Sequence, residues 1–524
     1  MRFPFKGKTT MLHPFLFAIF PVLFLYSYNI QETSLGVILK PLALILVGTA
    51  LILFVSNLIF RNWEKSSLFT TLLVLIFFSH GHTHTLIGAL KYQIGGFEIG
   101  TDDILFGIWA TAIVGTFFIL LLGKKNLAKF TGLLNLVSSV LVFYSLVTAV
   151  PYEISRTLTT LSRSQEDVNQ QAELGIGYKP DIYYLIFDRY TGNKVLKDFY
   201  GYDNSGFTDY LEEKGFYVAK NSFANYPRTL LSLGSSLNFK YLDSGEKVTE
   251  QVKDHELGRF LKSQGYRYLH IGSWAGATNT SPIADINFEV GEVYLDLDEF
   301  TLKLFETTVL APAVRKVFPG TSLFDFGVQH KNRSLYQLAR IKEIPGTQPG
   351  PKFVFAHILL PHDPYVFNSD CGDLELSEQM LDNYLSQLAC TNKLIQEVVE
   401  NILQDSPQLP IIVIQGDEGS LDWTTLEPMK YPFKEGQSYK NADPRSMLER
   451  ASILNAYYLP NGDYAGFNPL ISPVNSFRLI LNRIFGTDYE ILSDRSYIFQ
   501  EDGNLYDIKR TPLKFIDVTD KVVQ

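Results

Sequence analysis

The sequence predicts an α-helical membrane domain of five spans over residues 1–150, followed by an α/β domain, mostly parallel sheet with helices on both faces. Three observations carry this. Five apolar stretches follow one another at the N-terminus, each near the ~20 residues that a spanning helix requires. Beyond residue 180, short apolar strands alternate with helical segments, the pattern of a sheet covered on both sides. Two of those strands, starting at Asp181 and Ile411, are near-continuous apolar runs that stop in Asp188 and Asp417. A buried parallel strand has that composition, and open α/β sheets hold ligands just past the carboxyl ends of their strands.

The apolar stretches are 12–30, 36–60, 67–90, 103–123 and 129–150. A cleaved signal peptide explains the first poorly, because four more follow. The joints alternate in charge. Arg2, Lys6 and Lys8 precede the first span, Arg61 and Lys65 follow the second, and Lys124, Lys125 and Lys129 follow the fourth. The joint after the third holds Glu98, Asp102 and Asp103 instead. By the positive-inside rule the N-terminus is cytoplasmic, and five crossings put residue 151 onward outside. Within the third span, His80 and His84 share a helix face and His82 points away. That spacing suits a metal, but the topology places it at the outer interface, where histidine costs little.

Charge and cysteine content narrow the function classes. The chain has 524 residues and a formal charge of −9, yet residues 1–150 carry ten Lys/Arg and five Asp/Glu, which leaves −14 for the remainder. An acidic globular half argues against nucleic acid as a partner. The two cysteines, Cys371 and Cys390, form no metal-binding spacing. Outside the cytoplasm they allow one disulfide, which sequence alone leaves open.

The polar stretch 151–180 is expected to be a linker, with the globular domain at 181–524. After the strand that ends in Asp188, a helix is expected at 205–215, stopped by Gly215, and then a strand at 216–219. Pro227 suits a first helical turn. Thr229 then lies near a helix N-terminus, where free N–H groups and the dipole favour phosphate. Its hydroxyl is a candidate nucleophile, or this is an ordinary Ser/Thr-rich helix start. A helix at 255–264, a strand at 266–272, a loop at 273–295 and helices near 298–307 and 331–342 follow. The strand from Phe353 carries His357 and runs into the loop Pro361-His362-Asp363-Pro364. A helix around 376–404 leads to the strand from Ile411, which ends in Asp417 and Glu418. Beyond it are an irregular stretch at 421–449, a strand at 452–459, a helix near 473–485 and short tail strands at 497–499 and 503–506.

An Asp ending the first strand, a Thr starting a helix, a Pro-His-Asp-Pro loop and a late Gly-Asp-Glu-Gly form an ordered set. That set resembles the alkaline phosphatase/sulfatase superfamily, in particular its membrane-anchored branch of lipoteichoic acid synthases and phosphoethanolamine transferases. The resemblance implies that Asp188 and Asp417 bind metal. It implies that Thr229 is both nucleophile and metal ligand, with Ser232 keeping a Thr-x-x-Ser pattern, and that His362 contacts the transferred group. The family usually has Asp-His where this chain has Asp417-Glu418. A ligand set of Asp188, Thr229, Asp417 and Glu418 is all oxygen, which favours one Mn²⁺ or Mg²⁺ ion over Zn²⁺. His362 would orient a phosphate oxygen or protonate the leaving group. His357 either touches substrate or packs.

The implied activity is transfer or hydrolysis of a phosphoglycerol- or phosphoethanolamine-type headgroup. The donor is a membrane lipid and the acceptor a cell-envelope glycan or lipid. Glu418 motivates one alternative, a catalytically inactive sulfatase-like domain that binds an envelope glycan or protein. The other is a sulfate or phosphate ester hydrolase, although the Cys/Ser-x-Pro-x-Arg nucleophile motif of sulfatases is missing around Thr229.

Overall fold

The computed structural model describes residues 10–30, 33, 35–94, 97–123, 127–166, 179–243, 248–274, 276–288, 298–318, 325–420, 444–500 and 514–523. The chain divides into two units, one of residues 1–159 with 297–325, the other of residues 160–296 with 326–524.

In the first unit every expected apolar stretch is helical: α1 (His13–Tyr28), α2 (Leu39–Phe60), α3 (Trp63–Ile87), α4 (Thr101–Leu122) and α5 (Ala128–Glu166). Among the described residues, three segments, Leu35–Phe60, Thr101–Leu122 and Ala128–Leu158, are long and apolar enough to cross a membrane. The other two expected spans depart from that form for physical reasons. The 16 residues of α1 reach about 24 Å at ~1.5 Å each, short of a ~30 Å hydrocarbon core. α3 has the length, but it buries a polar seam of Ser66, Ser67, Thr70, Thr71 and His80. The hairpin β1 (Lys91–Ile94) and β2 (Phe97–Gly100) joins α3 to α4. His80 Nε2 lies 3.1 Å from Asp102 Oδ1 at the start of α4, and His84 Nε2 lies 3.7 Å from the same oxygen.

The helices Glu299–Glu306 and Leu310–Val317 belong to this unit, not to the α/β unit that surrounds them in sequence. Phe300 and Leu304 are buried with Phe17, Val22 and Tyr26 of α1 and with Val74 and Phe78 of α3. Two backbone bonds bracket the contact: Gly81 N–H donates to Thr307 O (3.0 Å), and Val309 N–H donates to Phe77 O (2.9 Å). A Cβ on Gly81 would lie 2.6 Å from Glu306 O, so only glycine admits this approach.

The second unit is built on a seven-stranded sheet. Its strands are β3 (Ile182–Phe187), β4 (Tyr217–Val218), β5 (Arg267–Ile271), β6 (Ile286–Phe288), β7 (Lys352–Ile358), β8 (Ile411–Gly416) and β9 (Asn455–Tyr458), in the order β4-β9-β8-β3-β7-β5-β6. Pairings among β8, β3, β7, β5 and β6 are parallel, whereas β9 runs antiparallel to β8 and to β4. The sheet is thus mixed. The central strands β3, β7 and β8 are wholly buried, which accounts for their mainly apolar composition. Helices Phe326–Thr347 and Met380–Asp405 pack on the face bearing Tyr183, Leu185 and Phe187. Helices Thr229–Ser236, Glu256–Ser263 and Pro473–Phe485 pack on the face bearing Ile182, Tyr184 and Ile186.

Most expected elements are present, within a few residues at their ends. Helices Asn193–Tyr200, Val248–Lys253 and Leu310–Val317, and the strand β6 inside the expected 273–295 loop, were not anticipated. The first half of the expected linker continues α5 to Glu166. Residues 167–178, most of the irregular 421–449 stretch and the tail strand at 503–506 lie outside the described residues. The strand from Tyr497 is formed and pairs with Lys514–Asp517.

Cys371 and Cys390 are joined in a disulfide that closes a 19-residue separation and ties the loop after β7 to helix Met380–Asp405. A loop of this size is worth about 3 kcal/mol through the unfolded chain. Replacing both cysteines by serine is expected to lower the urea midpoint of the α/β unit accordingly; an unchanged midpoint would contradict this.

Candidate active site

Register brings the site together. Ile186 of β3 lies between His357 of β7 and Gln415 of β8. Side chains two residues apart on a strand share a face, so Asp188 and Asp417 continue the face of Ile186 and Gln415. Three adjacent strand ends thereby deliver Asp188, His357 and Asp417 to one buried spot, each offering a ligand atom within 4.8 Å of the others. His357 Nε2 is 3.5 Å from Asp188 Oδ2 and 4.0 Å from Asp417 Oδ2.

The surroundings aim these atoms. Asp417 Oδ1 accepts from the backbone N–H of Arg189 (3.1 Å) and of Glu418 (2.8 Å). His357 Nδ1 is hydrogen-bonded to Thr278 Oγ1 at 2.8 Å, which fixes the ring and turns Nε2 toward the carboxylates. Asp188 Oδ1, Asp417 Oδ2 and His357 Nε2 are buried with no hydrogen-bond partner among the described residues. Buried polar atoms are nearly always satisfied. Three converging exceptions on two carboxylates and an imidazole fit a cation.

Electrostatics agree. Burial, then the neighbouring Asp188 and Glu418 charges, push Asp417 up to about 7. For Asp188, burial acts upward but is outweighed by His362, His357 and Arg189, which hold it well below the carboxylate range. His357 is raised because the carboxylates Asp188, Asp417 and Glu418 outweigh its burial. A centre in which two acids compete this way is short of positive charge.

Thr229 opens its helix, with Arg228 at the N-cap. Pro227 was expected inside the first turn; it stands just ahead of the cap instead. Leu233 and Leu237 seat the helix on the Tyr184/Ile186 face, and the Thr229 side chain lies near enough to the Asp417 carboxylate to act on it, pulling its pKa down. The approach to Thr229 is pinned by Asn225, which donates to Ser472 Oγ (2.9 Å) and Arg495 O (2.8 Å) and accepts from Val474 N–H (2.8 Å). Ser232 is buried in the first turn, its N–H on Arg228 O at 2.8 Å.

His362 lies on the loop after β7, its Nδ1 hydrogen-bonded to the Asp363 carbonyl, close enough for its charge to lower Asp188. Glu418, expected among the metal ligands, is engaged elsewhere. Oε1 accepts from Arg189 Nε (3.2 Å) and Oε2 from Arg450 Nη2 (2.7 Å). The imidazole of His357 stands in the cluster in place of the carboxylate of Glu418. The donor set is therefore mixed N/O, and the basis for preferring Mn²⁺ or Mg²⁺ over Zn²⁺ falls away.

Sequence reasoning passed over four residues here. Arg189 directly follows Asp188, adopts a left-handed φ of 59°, and pairs with Asp363 Oδ1 at 2.8 Å. Arg450 contacts Glu418 from the helix Pro444–Ala451. His330 and Trp274, with ring centroids 6.0 Å apart, each bury a ring nitrogen without a hydrogen-bond partner. His330 feels His362, Asp363 and Asp188; burial, then His362, take it down to about 3. The position of Arg189 beside a predicted ligand was the one available signal.

No protein-family model and no curated protein matches the sequence. Among solved structures the chain is similar to the C-terminal periplasmic domain of EcEptC from Escherichia coli in complex with Zn. Identity is 13% and the TM-score 0.44, with 68% of this chain and 99% of that one covered. It is also similar to the lipoteichoic acid synthase LtaP from Listeria monocytogenes, at 15% identity and TM-score 0.39 over 62% of this chain and 78% of that one. A third likeness is to the integral membrane protein lipooligosaccharide phosphoethanolamine transferase A from Neisseria meningitidis, at 10% identity and TM-score 0.39 over 91% and 96%. At such identities and scores the chemistry has to be derived from the residues themselves.

Proposed function

We propose that this chain is a membrane-anchored, metal-dependent phosphotransferase of the alkaline phosphatase/sulfatase type. It moves a phosphoglycerol- or phosphoethanolamine-type headgroup from a lipid to an envelope glycan, a lipid or water, with Thr229 as nucleophile. The observation that supports the reading is the convergence of three unsatisfied ligand atoms, on Asp188, His357 and Asp417, at neighbouring strand ends, with Thr229 near Asp417.

Asp188, His357 and Asp417 would hold one divalent ion, with the Thr229 oxygen beside it. Zn²⁺ is the ion that this N/O set suits. When bound, the ion would neutralise phosphoryl charge and favour the ionised hydroxyl. Thr229 Oγ1 attacks the phosphorus of the lipid phosphodiester, the P–O bond to diacylglycerol breaks, and the departing oxygen takes a proton. His362, partly exposed at the rim, supplies that proton. An acceptor hydroxyl or water then gives its proton to His362, restoring it, and displaces Thr229 from phosphorus; the Thr229 oxygen recovers from solvent the proton it gave up on attack. Free N–H groups in the first turn after Arg228 offer donors to phosphoryl oxygens. Because His357 supplies an imidazole, Glu418 at the family's histidine position does not leave the centre short of a ligand.

The α/β unit belongs on the extracytoplasmic side under this proposal. Three crossings or five give the same parity, the basic joints favour a cytoplasmic N-terminus, and the Cys371–Cys390 disulfide suits an oxidising compartment. The test is the full-length protein in liposomes containing headgroup-labelled phosphatidylglycerol or phosphatidylethanolamine. Chelation is expected to abolish diacylglycerol release, and Zn²⁺ to restore it. Undiminished release from protein shown to be metal-free would remove the proposal.

A further inference from the structure

We propose that Glu418 is a positioning residue that fixes the Pro227–Thr229 turn against the metal cluster through Arg450, and the His362 loop through Arg189. The inference rests on the reading of Thr229 as the nucleophile and adds what holds that nucleophile in place.

Glu418 is 3% exposed, and its two oxygens go to guanidiniums from different parts of the chain. Arg450 Nη2 bonds Glu418 Oε2 at 2.7 Å and also donates to Pro227 O at 2.7 Å, two residues before Thr229. Proline has no N–H with which to anchor itself, so its carbonyl is the handle that this turn offers. The same guanidinium reaches Gly419 O at 3.5 Å. Gly419 N–H in turn donates to Arg450 O at 2.8 Å, which clamps the loop after β8 to helix Pro444–Ala451. A Cβ at Gly419 would sit 2.0 Å from Glu449 O, so the clamp is a close backbone approach. On its other side Glu418 Oε1 holds Arg189 Nε at 3.2 Å, and Arg189 Nη1 holds Asp363 Oδ1 at 2.8 Å, next to His362. One carboxylate thus lies between the turn that presents Thr229 and the loop that presents His362.

A buried ion pair is weak evidence for stability, because desolvation offsets most of its attraction. What this geometry supplies is placement. Displacing a nucleophile by about 1 Å costs roughly 100-fold in rate. Without its charge, Glu418 no longer orients Arg450, and Pro227 O loses a charge-assisted donor.

The experiment compares full-length wild type, Glu418→Gln, Arg450→Met and the double variant. Metal content, kcat and KM for labelled lipid, and amide hydrogen exchange are read in each. Glu418→Gln is expected to keep its metal, to lose kcat by roughly 100-fold and to hold KM within about threefold. The double variant should be little worse than the worse single one, since both remove one device. Amides of Thr229–Ser232 should exchange at least about tenfold faster in the single variants, with β8 unchanged. Loss of metal in Glu418→Gln would make Glu418 a ligand and overturn the proposal. So would unchanged kcat and exchange, or protection lost equally across β8. Arg450→Lys, which keeps a cation, should recover part of the loss; no recovery counts against positioning by charge. If wild type shows no metal-dependent turnover, the transferase reading fails, and the exchange comparison still decides the role of Glu418.

Discussion

Thr229→Ala is expected to reduce headgroup release by roughly 10⁴–10⁶-fold, the scale at which removal of a nucleophile leaves only binding and electrostatic stabilisation. Thr229 sits half-buried at the first position of its helix, with Arg228 and not itself as the cap, so little structure depends on its side chain. The variant should therefore fold, and its loss should be in kcat. Metal content should persist, because Asp188, His357 and Asp417 remain. Thr229→Ser keeps the hydroxyl and should retain measurable turnover. Rapid quenching of wild type with headgroup-labelled lipid should trap the labelled phospho-headgroup on this residue. If Thr229→Ala keeps more than about a tenth of wild-type turnover, the covalent route through it is wrong.

Asp417→Asn separates function from stability in opposite directions. With metal present the variant should lose the ion and its activity, since Oδ2 is the atom that Asp417 offers to the cluster. In metal-free protein the sign reverses. Asp417 is pushed up to about 7, first by burial and then by Asp188. An acid whose folded value lies above its unfolded value binds more protons when folded, so stability falls as pH rises between the two. The metal-free wild type should therefore lose stability from about pH 4 to pH 7 on account of this group, by a few kcal/mol. Asp188, shifted the other way, adds stability as pH rises from low values. Asparagine removes only the first contribution. At pH 8 metal-free Asp417→Asn should unfold at higher denaturant than metal-free wild type, and the order should reverse when metal is added, because only the wild type then binds it. A metal-free variant less stable than wild type at pH 8 would show that Asp417 is not strained by its neighbours.

The carboxylates and Thr229 were legible because each is a local event. An apolar strand run ends in Asp188 or Asp417, and a proline just ahead of Thr229 marks a helix start. His357 was visible as a residue but not as a member of the cluster. Its alternation with Phe353 and Phe355 assigns it a face, and only the pairing of β7 with β3 reveals that the face is the one shared with Asp188. Glu418 misled for a related reason. Adjacency to Asp417 suggested a common task, yet the side chain turns to Arg450, 32 residues further along. Short helices such as Asn193–Tyr200 and Val248–Lys253 have too few turns for a periodicity to register, and β6, three residues long, has too little alternation. In the membrane unit the apolar stretches located all five helices, but the polar seam of α3 becomes evident only once its faces are assigned.

The docking of helix Glu299–Glu306 against α1 and α3 bears on whether the proposed enzyme could ever be shed. The polypeptide passes between the two units at residues 159/160, 296/297 and 325/326. A sheddase that cuts once, in the polar stretch before Lys179, severs a single passage and leaves two in place. The α/β unit would stay joined to the helical unit, whose inserted segment is packed through Phe300, Leu304 and the backbone bracket at Gly81. Release would take cuts at all three passages.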